Sequence, residues 1–280
     1  MTRSVLSWVL EKLGQGHDVA LATVLDSRGS VPGKPGAKLA MIKNGEKFGT
    51  IGGAGLELKI EKALYELIKN PYRMATQGGR IENFLLYKDG KGKEVIALDS
   101  LCGGQLTVSL EVINTSPNIL IIGGGHVGKS LSTVCNSIGW EYSIFDVREE
   151  FSNKERFPNA EELYHSSVSD FLDSEDYLSL SRFSDILLLG HDWSIDQEIL
   201  IGILSKIKAN QRPRIGCIGS KTKWSAFRAA ALDANIPKSI VDFTRCPIGL
   251  PIGAHSPEEI AISICAEIIS MDANNTSEDN

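Results

Sequence analysis

The 280-residue sequence predicts an α/β protein in which a C-terminal Rossmann-like, doubly wound parallel sheet follows an N-terminal mixed α/β domain. Three observations carry this. First, the length is about 1.9 times that of a typical domain of roughly 150 residues, which favours two modest domains or one large one. Second, from Asn118 onward short apolar runs at Ile119–Ile122, Tyr142–Phe145, Asp185–Leu189 and Arg214–Ile218 alternate with helix-length segments. Third, the first of those runs leads straight into Gly123-Gly124-Gly125-His126-Val127-Gly128 and then a helix, the start of a βαβ unit.

The elements follow in order. A helix is expected near residues 3–14, with Leu6, Val9, Leu10 and Leu13 as its apolar face. Strands follow at Val19–Leu25, 38–42 and 47–51, then a helix over 55–69 bounded by Gly52, Gly53 and Gly55 before it and Asn70-Pro71 after it. Strands near 81–87 and 105–113 complete a first domain spanning 1–113, and the polar, proline-containing stretch 114–117 reads as a linker. The second domain, 118–271, carries helices to about 137, over 195–208 and 221–234, and a last one over 257–270. Asp272 to Asn280 is polar, lacks an apolar period, and reads as a disordered tail.

Composition narrows the function. Hydrophobic residues make up 42% and charged residues 23%, ordinary globular values, and Lys+Arg 29 against Asp+Glu 35 gives a net charge of −6. Without a basic field, nucleic acid is not expected as a main partner. No run approaches the roughly 18 to 20 apolar residues a membrane span requires. Glu11 and Lys12 interrupt the N-terminal apolar stretch, so a signal peptide is not expected either. The cysteines, at 102, 135, 217, 246 and 265, are odd in number and show no Cys-x-x-Cys pair, which suggests free thiols and a cytoplasmic setting.

Gly123-x-Gly125-x-x-Gly128 fits G-x-G-x-x-G between a strand and a helix. In such a loop the first glycine permits the turn, the second lets a phosphate approach the backbone, and the third lets helix and strand pack, while the helix N-terminus attracts the anion. Asp146 ends the next strand 23 residues after Gly123, suitably placed to accept hydrogen bonds from a ribose or similar diol. Arg148 can select a ligand with an extra phosphate or stand as a solvated surface charge. Because ligands of doubly wound sheets sit beyond the carboxyl ends of the strands, Gly190-His191-Asp192 and Gly219-Ser220-Lys221 belong to the same rim. There His191 offers a proton carrier or a ligand-orienting donor, Ser220 a helix cap, and Lys221 a charge for an anion.

Machinery for turnover is not evident. The Tyr-x-x-x-Lys pairs, Tyr65 with Lys69 and Tyr87 with Lys91, both precede the glycine loop. No Gly-x-Ser-x-Gly elbow appears, and no two histidines are close enough in sequence for a local metal site.

Several segments, in order along residues 5–270, carry a resemblance. They are Ser27–Ala37 (SRGSVPGKPGA), Gly49–Glu57 (GTIGGAGLE), Cys102-Gly103-Gly104, the Gly123–Gly128 loop, Asp146-Val147-Arg148-Glu149, His191-Asp192, Ile218–Lys223 (IGSKTK) and Pro247–Gly253 (PIGLPIG). Together they resemble the XdhC/CoxI family of accessory factors for xanthine and carbon monoxide dehydrogenases, and the XdhC branch more closely. The resemblance implies a molybdenum-cofactor chaperone rather than a hydride-transfer enzyme. Such a protein binds molybdopterin as cargo, protects it while a cysteine desulfurase supplies its terminal sulfur, and hands it to a molybdenum hydroxylase such as xanthine dehydrogenase, often as a homodimer. The cargo's terminal phosphate, or a dinucleotide form, would suit the glycine loop.

One departure matters: where the CoxI-like branch carries a cysteine, this chain has Gly55. Cys102 is then the best thiol candidate, either reaching the molybdenum of a bound cofactor or a persulfide, or serving as a buried structural cysteine. Cys135, Cys217 and Cys265 read as core residues. In the first domain the glycines around Gly53 lie beside Glu57, which could bind a pterin amidine edge or simply start its helix, while Arg28, with Lys34 and Lys38, could meet an anionic cofactor or belong to a tight loop. His126 is expected to point at the ligand or the adjoining strand. Two other classes compete: a nicotinamide-dependent oxidoreductase, and a module that senses NAD(P) reversibly.

Overall fold

A computed structural model describes residues 2–69, 79–86, 96–97, 104–190, 192–209 and 211–274. The chain divides into two compact units, Met1–Thr115 and Ser116–Asn280.

In the first unit a six-stranded sheet is sandwiched between two helices. The strands are β1 (Val19–Gly29), β2 (Lys38–Ile42), β3 (Lys47–Thr50), β4 (Arg80–Leu86), β5 (Ile96–Ala97) and β6 (Gly104–Ile113), in the order β3-β2-β1-β6-β4-β5. All neighbours pair antiparallel except β4 with β5. Alternation along β1 assigns the faces. Val19 and Leu21 pack with Val5 and Val9 of α1 (Thr2–Gly14), whereas Ala20, Ala22 and Val24 pack with Leu56, Ile60 and Leu64 of α2 (Ala54–Lys69). Of the expected face of α1, Val9 is buried and Leu13 packs against the same core, whereas Leu6 and Leu10 turn outward and Val5 takes their place. Val5 and Val9 are its buried residues, one turn apart, while Leu6 and Leu10 are 42% and 70% exposed. The sheet rewards the β-branched pair; leucine content alone did not reveal the register.

The second unit is a five-stranded parallel sheet, β7 (Asn118–Ile122), β8 (Glu141–Phe145), β9 (Leu163–Tyr164), β10 (Asp185–Leu188) and β11 (Arg214–Cys217), in the order β11-β10-β7-β8-β9. Strand order reverses between β7 and β10, which makes their carboxyl ends the switch point where this architecture forms a crevice. Helices cover both faces, as the near-continuous apolar strands require. Ile119, Ile121 and Ile144 pack with α3 (His126–Ile138) and α9 (Pro257–Asn274). Leu120, Ile122 and Ile186 pack with α4 (Val168–Ser174), α6 (Trp193–Leu204) and α7 (Lys221–Asp233). Two one-turn helices, α5 (Tyr177–Leu180) and α8 (Lys238–Val241), complete the set.

Residues 272–274, expected as the start of a disordered tail, are helical. Helix α9 continues through Asn274 because Asp272 is held at 2.6 Å by Arg214, an ion pair 58 residues distant that local patterning cannot reveal; 275–280 lie outside the described residues. No helix among the described residues is long and apolar enough to cross a membrane.

Candidate functional site

The carboxyl ends of β7, β8 and β10 surround a cleft of about 220 Å³. Its walls include Gly123, Phe145, Asp146, Arg148, Gly190 and Asp196. The glycines there divide by task. Gly123 has φ +106° and leaves no room for a Cβ, which would lie 2.9 Å from the Gly190 amide nitrogen. Gly128 admits the loop onto α3, since its Cβ would lie 2.2 Å from the Gly123 carbonyl oxygen. Gly125 is different: a Cβ there would meet nothing within 4 Å. It is also the N-cap of α3 and has no side-chain cap, so the first turn of that helix keeps its amides for something else. Gly124, outside the motif, is equally constrained, because its Cβ would fall 1.8 Å from the Phe151 carbonyl oxygen.

Cations gather around this loop. Arg156 donates from Nε to the Gly124 carbonyl at 2.8 Å and from Nη2 to the Gly125 carbonyl at 3.2 Å. Lys129 Nζ donates in turn to the Arg156 carbonyl. Arg148 lies over the Phe151 ring, 3.9 Å from its centroid, and Arg156 lies 5.2 Å from the same ring. Neither Arg156 nor Phe151 carried a recognisable signal in sequence; both reach the loop from the segment after β8.

Asp146 is not available to a diol, which corrects its expected role. Its side chain is only 4% exposed, and four donors converge on it: the Arg148 amide (3.1 Å) and Nε (2.9 Å) on Oδ1, the Gly124 amide (3.0 Å) and Arg148 Nη2 (2.9 Å) on Oδ2. A carboxylate has about four lone-pair positions, so none is left. Burial pushes the Asp146 carboxyl up, but the hydrogen bonds from Arg148 and Gly124 outweigh it and hold the group below the usual carboxylate range. The same pairing raises Arg148. Arg148 is thus paired with the acid through its amide, Nε and Nη2, with its side chain 34% exposed.

A second acid at the cleft was missed in the sequence. Asp196, in the first turn of α6, is buried and accepts from Lys223 Nζ at 2.7 Å. Gly190 makes this possible, since its Cβ would fall 1.8 Å from Asp196 Oδ1. Ser220 caps α7, accepting from the Lys223 amide at 3.2 Å. Lys221 is exposed, and Lys223, two residues further on, is the lysine turned into the rim. His126 is exposed at the first position of α3. His191 and Cys102 lie outside the described residues.

Among the first-domain candidates Arg28 is exposed, while Glu57 and Gly53 are engaged locally. Arg28 is 79% exposed on its side chain and pairs with Asp26 at 3.1 Å. Glu57 opens α2 and accepts from the Thr50 hydroxyl at 2.5 Å, while that hydroxyl accepts from the Gly52 amide. Gly53, at φ +81°, packs on Pro32, where a Cβ would meet the ring at 2.7 Å. Among the described residues no cluster of three or more His, Cys, Asp or Glu is placed to hold a metal ion.

The thiols differ in setting. Cys135 and Cys265 are buried, and the Cys265 hydrogen bond together with burial pushes the Cys135 thiol well up. Burial raises Cys217 as well. Cys246 is half-buried beside the Gly219 carbonyl; burial raises it, opposed by Lys223.

Comparison with known proteins gives a consistent relationship. A family model described as the XdhC Rossmann domain matches residues 119–268, and one described as the XdhC and CoxI family matches residues 13–75. The chain is similar to the uncharacterized protein YqeB of Escherichia coli K12, with 28% identity over 261 residues, 93% of this chain and 44% of that protein. It is also similar to a probable xanthine dehydrogenase subunit of Bacillus subtilis, with 26% identity over 160 residues, 57% of this chain and 44% of that protein. A solved xanthine dehydrogenase structure from Bacillus halodurans aligns over 95% of both chains at 21% identity and a TM-score of 0.48. The chain spans less than half the length of these two curated relatives. With one model covering more than half of its residues and a second covering the start of its first unit, the chain belongs to the XdhC and CoxI family.

Proposed function

We propose that the protein is an accessory factor for a molybdenum hydroxylase of the xanthine dehydrogenase type, holding the molybdenum cofactor as cargo and delivering it to that enzyme. In this reading it works in the cytoplasm as a homodimer, and the cargo stays bound while a cysteine desulfurase supplies the terminal sulfur. Family membership and the similarity to a probable xanthine dehydrogenase subunit support the role. The observation that carries it is the start of α3: a 13-residue helix begins after Gly125 without a side-chain cap, two residues past Gly123 in the cleft wall, which suits the terminal phosphate of a pterin cofactor. A carrier needs retention and release, which a helix N-terminus near an open cleft suits.

The test is to produce the chain in cells that make molybdenum cofactor, purify it, and measure oxidised fluorescent pterin and molybdenum. Near-stoichiometric pterin is the expected result. Absence of pterin together with retained NAD(P) would instead support a nicotinamide-dependent oxidoreductase or an NAD(P)-sensing module. The feature favouring those alternatives is the strand, glycine loop, helix and acid arrangement from Asn118 to Asp146, which is shared with dinucleotide sites.

A further inference from the structure

Where β11 ends, the sheet gains one further pairing. Gly216 bridges Arg245 in parallel register: the Arg245 amide donates to the Ile215 carbonyl at 3.0 Å, and the Cys217 amide donates to the Arg245 carbonyl at 2.8 Å. The next two residues in that register are Cys217 and Cys246. Pro247 has no amide to continue the ladder, so the Cys217 carbonyl accepts from Ile248 instead, at 3.2 Å. Both cysteine side chains lie on the same face of the sheet, because Cys217 belongs to the apolar cluster that includes Phe227 and Ala231 of α7, and Cys246 packs against that cluster. Neighbouring parallel strands lie about 5 Å apart, inside the roughly 4.4 to 6.8 Å between Cα atoms that a disulfide spans.

Access distinguishes this pair from the other one. Cys135 and Cys265 hydrogen-bond each other between α3 and α9, but both are buried, and buried thiols are inert to reagents in solution. Cys217 is buried as well, whereas Cys246 is half-buried, its Sγ 4.0 Å from the Gly219 carbonyl oxygen. Lys223 stands near enough to oppose the rise that burial imposes on the Cys246 thiol. One thiol of the pair meets solvent and its neighbour is sheltered, an arrangement in which the first reacts with a reagent from outside and the second resolves the product.

We propose that Cys217 and Cys246 form a reversible dithiol–disulfide pair, oxidised by small disulfides such as oxidised glutathione. In the first step the Cys246 thiol gives its proton to solvent and its thiolate attacks one sulfur of the reagent. A Cys246–glutathione S–S bond forms, the reagent's own S–S bond breaks, and one glutathione leaves as thiolate. In the second step Cys217 Sγ attacks Cys246 Sγ; the Cys217–Cys246 bond forms as the mixed disulfide breaks, and the departing sulfur carries away the Cys217 proton. Two protein thiols lose two electrons, and one small disulfide is reduced to two thiols. The bridge draws Cys246 away from the Gly219 carbonyl. Gly219 leads directly into Ser220, which caps α7, and then to Lys223, which holds Asp196 in the cleft wall, so the thiol state reaches the rim of the cleft. The inference requires no particular ligand in that cleft.

The test exposes the folded full chain, reduced and desalted, to oxidised glutathione at mildly alkaline pH. Free thiols are then blocked, and the chain is cut without reductant by trypsin and a glutamate-specific protease. Trypsin releases Cys217 within Ile215–Lys221, and cleavage after Glu258 or Glu259 separates Cys246 from Cys265. Mass spectrometry should find the first peptide joined to the one that begins at Cys246, lighter than their sum by two hydrogen atoms, and dithiothreitol should part them. Cys217→Ser should halt at a glutathione adduct on Cys246, and Cys246→Ser should leave Cys217 reduced. Circular dichroism during oxidation confines the reading to folded protein, and the linkage in the parent chain needs no variant. A bridge joining Cys135 to Cys265, a bridge from Cys102 to either member of the pair, a stable adduct on Cys246 in the parent, or a parent in which Cys217 and Cys246 stay reduced would overturn the proposal. Pterin retention tests the carrier role separately, so either reading can fail alone.

Discussion

Two aspartates at opposite ends of one parallel sheet show how the same chemistry is used for different ends. Asp185 begins β10 and is fully buried; it accepts from Arg214 at 3.0 and 2.7 Å and from Arg245 at 2.9 Å. Each of those arginines holds a second carboxylate, Asp272 for Arg214 and Glu267 for Arg245, both on α9. Asp146, just beyond the carboxyl end of β8, has one arginine, supplied two residues away and 34% exposed on its side chain. The amino-end cluster is assembled from β10, β11, the loop before Pro247, and α9, so its members are locked by the whole unit. The carboxyl-end pair depends on one loop. The difference separates a set of charges that closes a core from a pair that presents a charge.

The comparison breaks most sharply at the amino end. Asp185→Ala leaves two buried guanidinium groups without their shared acceptor and should cost about 3–5 kcal/mol, read by urea denaturation. A loss under about 1 kcal/mol would show that the cluster is solvated and that the two ends of the sheet do not differ in this way.

At the carboxyl end the largest effect should fall on binding rather than stability. Gly125→Leu places a side chain in open space, so stability should change by about 1 kcal/mol or less, while pterin retention in the cell-based preparation should be lost. Retention at the parent level would move the anion site away from α3.

The smallest effect is a pH dependence. Arg148→Ala should cost about 1–2 kcal/mol at pH 7. Because the folded Asp146 is held below its ordinary value, the unfolded chain binds more protons in that interval, so the contribution is full above the ordinary carboxylate value near 4 and is lost as pH falls through the depressed folded value. Denaturation of both proteins from pH 7 down to about 3 should show their difference shrinking; a constant difference would mean that the pair contributes through packing alone.

Much of the architecture is legible because it is written in local pattern. The strand ends, the glycine loop and the Ser220 cap each depend on residues within a turn or two of one another. So does the placement of Asp146 beside the loop, since strand length and loop spacing bring it there. What the pattern does not contain is where a long side chain turns. Arg148 folds back on Asp146, Lys223 rather than Lys221 reaches Asp196, and Arg156 crosses to a loop 31 residues earlier. Such choices follow from packing and desolvation at the site, and several conformers are equally consistent with the local sequence. The face of α1 is legible only in part for a related reason: Val9 and Leu13 meet the core as expected, but Leu6 and Leu10 turn outward and Val5 takes their place.

The ties from α9 also order events in time. A chain made from its N-terminus exposes Arg214 58 residues before Asp272 exists, and Arg245 22 residues before Glu267. Until α9 is synthesised, one face of the parallel sheet lacks both its apolar cover and two of its counter-charges. The unit Met1–Thr115 has its own core and depends on neither, so it can be complete while the parallel sheet still awaits its final helix. During synthesis the protein is therefore a finished domain trailing an unfinished one, and that interval is when the second unit is most exposed to proteases and chaperones.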